Sequence, residues 1–159
     1  MLKIYNSLNN KKEIFKPRKD KQVDMFVCGI TPYDSPHIGN FRVAINYDVM
    51  ARYLRHYGYN VFYLQNVTDI DDKIIKASRE KNMPWQELAE HYFKEHIEVS
   101  KRLNIKSISK YAKATRPSPH GERQDGSSCF AAFHKTKSYG CFLFASSSSR
   151  VDLCSFAKF

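Results

Sequence analysis

The sequence has few cysteines in its first 115 residues and no long apolar run, and each shortage excludes a class of protein. Only one of its four cysteines lies in the first 115 residues, which excludes a disulfide framework there. No apolar run approaches the roughly 18 residues of a membrane-spanning helix. The first residues lack the apolar core of a secretory signal. We therefore expect a cytoplasmic protein with no membrane partner.

The basic charge leaves two interpretations open. The chain has 159 residues, enough for one domain with its own core, and a formal net charge of +10. That charge fits a polyanionic partner such as nucleic acid, but surface lysines are also the ordinary route to solubility. Composition alone does not decide between them.

The stretch around which the chain is organised is CGITPYDSPHIGN, at residues 28–40. It follows an apolar run at 23–27, which predicts a buried strand. It leads into a helical pattern from about residue 41 to 57, whose apolar residues form two faces, one including Tyr57 and the other Val49, so we expect the helix to be covered on two sides. Gly58 ends this helix. A second strand is predicted at 60–65, and one helix between two strands suffices for a parallel crossover. The pattern predicts an α/β fold with a Rossmann-like parallel sheet, whose ligands bind at the carboxyl ends of the strands.

Two further helices are predicted beyond the second strand. The first covers 70–81, and the second begins at Pro84, a residue that the first helical position permits. Apolar and aromatic residues follow Pro84 at helical spacing, and we interpret them as core rather than as a platform for stacking bases. His91 and His96 have no partner at metal-ligand spacing, so we interpret them as surface or packing residues.

Residues 37–40, HIGN, resemble the HIGH signature of class I aminoacyl-tRNA synthetases, with asparagine in the last place. Cys28 at the strand end, Tyr33-Asp34 before the histidine, and the run NVTDIDDK at 66–73 make the chain similar to cysteinyl-tRNA synthetases in particular. The resemblance covers about residues 2–115. It implies the nucleotide-binding half of a class I synthetase catalytic domain, here incomplete.

This resemblance implies a ligase that activates cysteine with Mg-ATP to cysteinyl-adenylate and transfers it to tRNA(Cys). Such a reaction depends on positioning and on stabilising phosphate charge. A related ligase that joins cysteine to an amino-sugar through the same adenylate is an open alternative. So is a non-catalytic fragment or binding module, because the family's second ATP signature, a Lys-Met-Ser-Lys-Ser loop, and its anticodon-binding domain are absent from these residues.

The implied ATP site lies in the first signature. His37 and Asn40 are the catalytic candidates, donating hydrogen bonds to phosphate oxygens as charge builds in the adenylation transition state. Gly39 would let the nucleotide approach the backbone closely. The expected ATP-binding residues are Ile30, Thr31, Tyr33, His37, Ile38, Gly39 and Asn40. The alternatives are a helix cap for His37, and turn or packing roles for Thr31 and Tyr33.

The implied site for substrate cysteine consists of Cys28, Gly29, Thr68 and Asp69. By itself, a cysteine on a buried strand is usually a small apolar residue. The resemblance makes Cys28 a Zn²⁺ ligand, and zinc with an open position would bind a substrate thiolate far better than a serine hydroxyl. The other family ligands, a Cys, a His and a Glu, are expected beyond Phe159, so zinc binding by this chain stays open.

The acidic run after the second strand has two interpretations. The resemblance places Asp69 where it could meet the amino group of substrate cysteine. Alternatively, Asp69 or a neighbour caps the next helix, with the remaining acids favourable at its N-terminus. We interpret Asp71, Asp72 and Lys73 as structural.

The composition changes after Thr115. The 44 residues at 116–159 hold nine serines and three cysteines, against six and one in the preceding 115, and no helical or alternating period lasts. The three cysteines, at 129, 141 and 154, are too widely spaced for a Cys-x-x-Cys knuckle. We predict one domain over 1–115 and a frame-shifted or disordered tail over 116–159, with a genuine divergent tail as the alternative.

Overall fold

The computed structural model describes residues 2–6, 10–17, 21–115, 142–145 and 152–154. No helix within these ranges is long and apolar enough to cross a membrane. The elements, in chain order, are β1 Lys3–Asn6, β2 Lys11–Ile14, β3 Gln22–Ile30, α1 Ile38–His56, β4 Asn60–Val67, α2 Asp72–Glu80, α3 Trp85–Arg102, β5 Lys110–Lys113, β6 Phe142–Ala145 and β7 Asp152–Cys154.

The main sheet has the strand order β5-β4-β3-β6-β7. β3 pairs in parallel with β4 and with β6, β4 pairs in parallel with β5, and β7 is antiparallel to β6. A separate antiparallel hairpin joins β1 to β2. The parallel strands around β3, with α1 as the crossover to β4, confirm the Rossmann-like α/β fold predicted from the sequence.

The core lies between α1 and the sheet. It joins β-branched and aromatic side chains of β3 and β4 to one face of α1, whose buried members include Tyr47, Ala51 and Leu54. A second face of α1, with Phe41 and Ala44, packs on Ile105. Two covered faces were predicted, but Val49 and Tyr57, assigned to them from spacing, are 61% and 62% exposed.

A buried carboxylate ties α1 to the segment that leads into β5. Asp48 accepts hydrogen bonds from the backbone N–H groups of Lys106 (2.9 Å) and Ser107 (2.7 Å) and from Arg52 Nε (2.6 Å). Burial by itself raises the pKa of Asp48, but the bonds from Ser107, Arg52 and Lys106 together outweigh it and lower the pKa. Sequence reasoning did not single out Asp48, because one acid on an amphipathic helix carries no local signal.

Several element boundaries differ from those predicted. β3 continues through Ile30, α1 begins at Ile38 rather than near residue 40, and α2 begins at Asp72 rather than 70. Pro84 is the N-cap of α3, one position before the first helical residue. Gly58 follows the end of α1 with φ of +81°, which confirms it as the helix-ending glycine.

Most of the predicted tail lies outside the described residues. Within it, only the backbones of β6 and β7 are described, and they extend the main sheet beyond β3. The sequence showed no lasting period there, so these strands were not predicted. The interpretation of 116–159 as a frame-shifted or disordered tail stays a prediction.

Candidate active site

The two signature segments leave neighbouring parallel strands at the same edge of the sheet. Ile30 and Val67 are paired in the register of β3 and β4. Just beyond that pair, the backbone N–H of Thr68 donates to the carbonyl of Ile30 at 2.9 Å. Residues 28–40 and 66–73 are therefore neighbours at the carboxyl ends of the strands, where nucleotide-binding folds place their ligands.

Gly29 is required by the close approach of β3 to β4. Its N–H donates to Asn66 Oδ1 at 2.6 Å, and a Cβ at this position would lie 1.6 Å from the backbone oxygen of Asn66. The strand register shifts between Val27 and Ile30, so Gly29 lies in an irregular part of the ladder. Sequence reasoning gave Asn66 no role. The expected contact of Gly29 with substrate cysteine stays a prediction.

Cys28 lies half-buried near the end of β3, where the sequence predicted it. Burial raises the pKa of its thiol above the ordinary value, which favours the protonated form over the thiolate that binds metals. Among the residues that the structure describes, no three or more His, Cys, Asp or Glu side chains form a group able to hold a metal. The described residues therefore do not fit a zinc centre.

His37 and Asn40 form a reciprocal cap at the start of α1. His37 Nδ1 accepts from the N–H of Gly39 at 3.1 Å, and Asn40 Oδ1 accepts from the N–H of His37 at 2.9 Å. The alternative interpretation of His37 as a helix cap is thus confirmed. Because Nδ1 is an acceptor here, neutral His37 carries its proton on Nε2, and Asn40 keeps its NH₂ group outside the cap. Both donors remain for another partner.

Gly39 makes room for the imidazole of His37. A Cβ on Gly39 would lie 2.8 Å from Cε1 and 2.9 Å from Nδ1 of His37. A side chain at this position would therefore displace the ring from the first turn of α1. This contact explains the glycine without any nucleotide, and the expected close approach of ATP stays a prediction.

The remaining predicted ATP-binding residues differ in how exposed they are. Ile30 and Thr31 are half-buried, while Tyr33 and Ile38 are exposed, Ile38 to 78%. The N–H of Tyr33 donates to the carbonyl of Thr31 at 3.1 Å, so a tight turn joins them as the alternative interpretation held. Lys73 Nζ lies 5.6 Å from the centre of the Tyr33 ring, which brings the second segment against the first.

The acids of the second segment have separate structural partners. Asp69, 7% exposed, accepts from the backbone N–H of Thr115 at 2.9 Å through Oδ1 and from the Thr115 hydroxyl through Oδ2. Asp71 caps α2 by accepting from the N–H of Lys73 at 2.9 Å, so the cap is a neighbour of Asp69. Thr68 is half-buried beside them. Contacts of Thr68 and Asp69 with substrate cysteine stay predictions.

His96 of α3 packs against the first turn of α1. It is 1% exposed, and its ring stacks on Phe41, with centroids 4.9 Å apart and planes within 9°. Neither ring nitrogen has a hydrogen-bond partner among the described residues, and burial lowers the pKa of His96 to about 4. These observations confirm a packing role and a neutral ring.

A family model for the class I (C) tRNA synthetase catalytic domain matches residues 14–120. The chain belongs to this family. The resemblance found in the two signature segments of this class I synthetase domain is therefore confirmed. Members of the family are aminoacyl-tRNA ligases, and hence enzymes.

Individual proteins agree with the family match. A cysteine–tRNA ligase of Endomicrobium trichonymphae is 48% identical over 118 residues, and one of Pyrococcus furiosus is 48% identical over 115 residues. The alignments cover 74% and 72% of this class I synthetase chain but only 25% and 24% of those ligases. The chain thus spans about a quarter of the length of the curated relatives that it matches.

A solved structure supports the fold alone. The methionyl-tRNA synthetase of Mycobacterium tuberculosis, in complex with methionyl-adenylate, superposes with a TM-score of 0.57 over 60% of this chain and 18% of that enzyme. Sequence identity is 23%. Over the matched part, the two chains therefore share the same arrangement of sheet and helices.

Proposed function

We propose that this chain is part of a cytoplasmic cysteine–tRNA ligase that activates L-cysteine with Mg-ATP to cysteinyl-adenylate and transfers it to tRNA(Cys). The 48% identity to cysteine–tRNA ligases supports the substrate assignment. The basic charge of the chain suits a nucleic-acid partner.

The observation that carries the proposal is the reciprocal cap at the N-terminus of α1. This helix of 19 residues has no acid in its first turn, so its backbone dipole attracts anions. The cap uses Nδ1 of His37 and Oδ1 of Asn40, and thereby leaves Nε2–H and the amide NH₂ to donate to phosphate oxygens. The same two bonds fix these donors before ATP arrives, which is what stabilisation of a developing charge requires.

Cys28, Gly29, Thr68 and Asp69 are proposed to surround the substrate cysteine at the same edge of the sheet. Asp69 accepts two bonds from Thr115, and a carboxylate has further lone pairs for an ammonium group. We also propose Cys28 as one zinc ligand of the longer protein. No step is assigned to zinc, because the described residues do not form a metal centre.

The second candidate is a non-catalytic fragment or binding module, which the coverage of only a quarter of each relative favours. Cysteine-dependent exchange of pyrophosphate into ATP distinguishes the two for residues 1–159. Exchange by the chain would exclude the fragment. ATP binding without exchange, alongside exchange by a full-length relative, would support it. We expect this second result, since the chain spans so little of its relatives. Transfer of cysteine from the adenylate to tRNA or to an amino-sugar, with release of AMP, would separate the cysteine–tRNA ligase from the amino-sugar ligase.

Two substitutions of His37 separate its cap from its donor. Asparagine is a favourable N-cap residue, so His37→Asn keeps the cap but loses the Nε2 donor, whereas His37→Ala loses both. We expect His37→Asn to weaken ATP binding about tenfold or more while the free energy of unfolding stays within about 0.5 kcal/mol. Titration calorimetry and urea unfolding measure the two quantities. Equal ATP affinity for wild type and His37→Asn would refute the proposed phosphate contact.

A further inference from the structure

Three consecutive residues of the first signature segment each contact a side chain from α2, from α3 or from the turn between them. The pairs are the Tyr33 ring with Lys73 Nζ (5.6 Å to the centroid), Asp34 Oδ1 with Lys81 Nζ (3.4 Å), and Ser35 Oγ with Glu95 Oε2 (3.2 Å). The contacts precede His37 by two to four residues. They therefore bear directly on the conformation in which the loop enters α1.

Lys81 occupies the centre of this contact. It follows the last residue of α2, pairs with Asp34, and donates a hydrogen bond to the Tyr92 hydroxyl of α3. Its Nζ also lies 4.6 Å from the centre of the Tyr92 ring. The hydrogen bonds of Lys81 to Tyr92 and Asp34 raise the pKa of Lys81. The pKa of Asp34 is lowered by a hydrogen bond from the Ser35 N–H, the largest single cause, and by Lys81. The Lys81 ammonium and the Asp34 carboxylate thus each stabilise the charged form of the other.

We propose that Lys81 is a positioning residue for the first signature segment. Through Asp34 it holds the loop at the junction of α2 and α3, in the conformation from which His37 caps α1 and turns Nε2 outward. α2 and α3 are packed on one another through Ile74, Leu88 and Ala89, so the anchor is a rigid pair of helices rather than a single mobile side chain. The packed helices thereby set the geometry of the exposed loop.

The effect on the cap needs no ligand, whereas the consequence for ATP rests on the proposed function. A loop held in the capping conformation presents the His37 donor in place, so ATP would not have to order the loop on binding. Loss of Lys81 should lower ATP affinity by the same factor by which it depopulates the cap.

The test compares Lys81→Met with Lys76→Met in the chain 1–159. Lys76 is a matched control, because its ion pair with Glu80 (4.0 Å) lies within α2 and away from the loop. NMR follows the ¹⁵N shifts of the His37 ring and the exchange rate of the Gly39 amide, the donor of the cap. We expect Lys81→Met to raise that rate about two- to fivefold, as loss of an exposed ion pair allows, and Lys76→Met to leave it unchanged.

Two further variants show whether Lys81 acts through Asp34. Asp34→Asn should give the same change, and the double variant should add nothing to either single one. Lys81→Arg, which keeps the charge, should restore most of the wild-type signal. Urea unfolding separates a local change from a general loss of stability, which we expect to be small. Unchanged His37 and Gly39 signals in Lys81→Met, or additive effects of Asp34→Asn and Lys81→Met, would overturn the proposal.

ATP titrations of the same variants keep the two proposals apart. If wild type binds ATP, Lys81→Met should bind it more weakly by the factor seen in the cap. If wild type does not bind ATP while the cap signals still respond to Lys81→Met, the positioning role stands and the proposed function fails. ATP affinity that is unchanged despite a lost cap would refute the coupling.

Discussion

α1 and α2 begin at the same edge of the sheet, after neighbouring strands, yet their N-termini are chemically opposite. α1 is capped by His37 Nδ1 and Asn40 Oδ1 and has no acid in its first turn. α2 is capped by Asp71 and has Asp72 in its first turn. Carboxylates at a helix N-terminus satisfy its dipole and repel a phosphate. Of two adjacent signatures, only the first keeps a helix end open to an anion.

The polar side chains of the two segments differ in the same way. In the second segment they bind within the protein, Asn66 to Gly29, Asp69 to Thr115 and Asp71 to its own helix. In the first, Asp34, Ser35 and His37 are exposed, and their side chains hold the cap and the contacts of the loop. Substitutions of side chains bound within the protein, such as Asn66, should therefore act mainly on stability, whereas substitutions that remove the free donors of His37 and Asn40 should act mainly on ligand binding.

The largest effect is expected at the junction of the two strands. Gly29→Ala would place a Cβ 1.6 Å from the Asn66 oxygen, and backbone on both sides must move. We expect a loss of more than about 3 kcal/mol in the free energy of unfolding, at the upper end for overpacking. Gly58→Ala is the control. Its Cβ would meet no atom of the described residues within 4 Å, so the positive φ alone should cost about 1 kcal/mol. Urea unfolding showing equal losses would contradict the strand contact.

A smaller effect on stability is expected from His96, which packs against the start of α1. Because burial lowers the pKa of His96 to about 4 from 6.5, the unfolded chain takes up a proton below pH 6.5 that the folded chain takes up only near pH 4. Stability should therefore fall as the pH drops through this window, by about 3 kcal/mol in total. His96→Phe, which keeps the stack on Phe41, should lack this part of the fall.

Urea unfolding of wild type and His96→Phe at pH 7, 5.5 and 4 measures that difference directly. The comparison also cancels the carboxylates, such as Asp48, whose lowered pKa adds to acid sensitivity in both proteins. If the two stabilities decline in parallel, His96 is not the group that titrates.

The smallest change in stability is expected at Gly39, in the first turn of α1. Gly39→Ala should push the His37 ring from the cap, which costs about 1 kcal/mol, but alanine is the better helix residue by a similar amount. We expect a net change below about 1 kcal/mol, with loss of the His37 cap signals in the ¹⁵N spectrum. An unaltered His37 spectrum would show that the ring does not need the glycine.

Much of the architecture could be predicted from the sequence because its signals are periodic. The apolar run of β3, the two faces of α1 and the position of Gly58 all follow from local spacing and turn chemistry. β5 was not predicted, since Lys110–Lys113 is short and half-polar and owes its conformation to pairing with β4. The burial of Asp48 could not be predicted either, because it depends on hydrogen bonds from residues 58 and 59 positions away.

The candidate site divides along similar lines. The resemblance identified His37, Asn40 and the acidic run, but the letters do not say which oxygen or nitrogen is already bound within the fold. That His37 uses Nδ1, and that Asp69 faces Thr115, depends on where separate elements meet. The link from Asp34 to Lys81 spans 47 residues and was likewise beyond the reach of a local pattern.

The bond between Asp69 and Thr115 also fixes the position of the last residue before the composition changes. Thr115 is held at the rim of the candidate site, beside the end of β4, by both oxygens of a buried carboxylate. The chain beyond residue 115 therefore begins at the edge of the sheet that carries the candidate site, and not at the opposite edge. A change of reading frame at this point would alter the residues that follow Thr115, while both signature segments, 28–40 and 66–73, would keep their sequence.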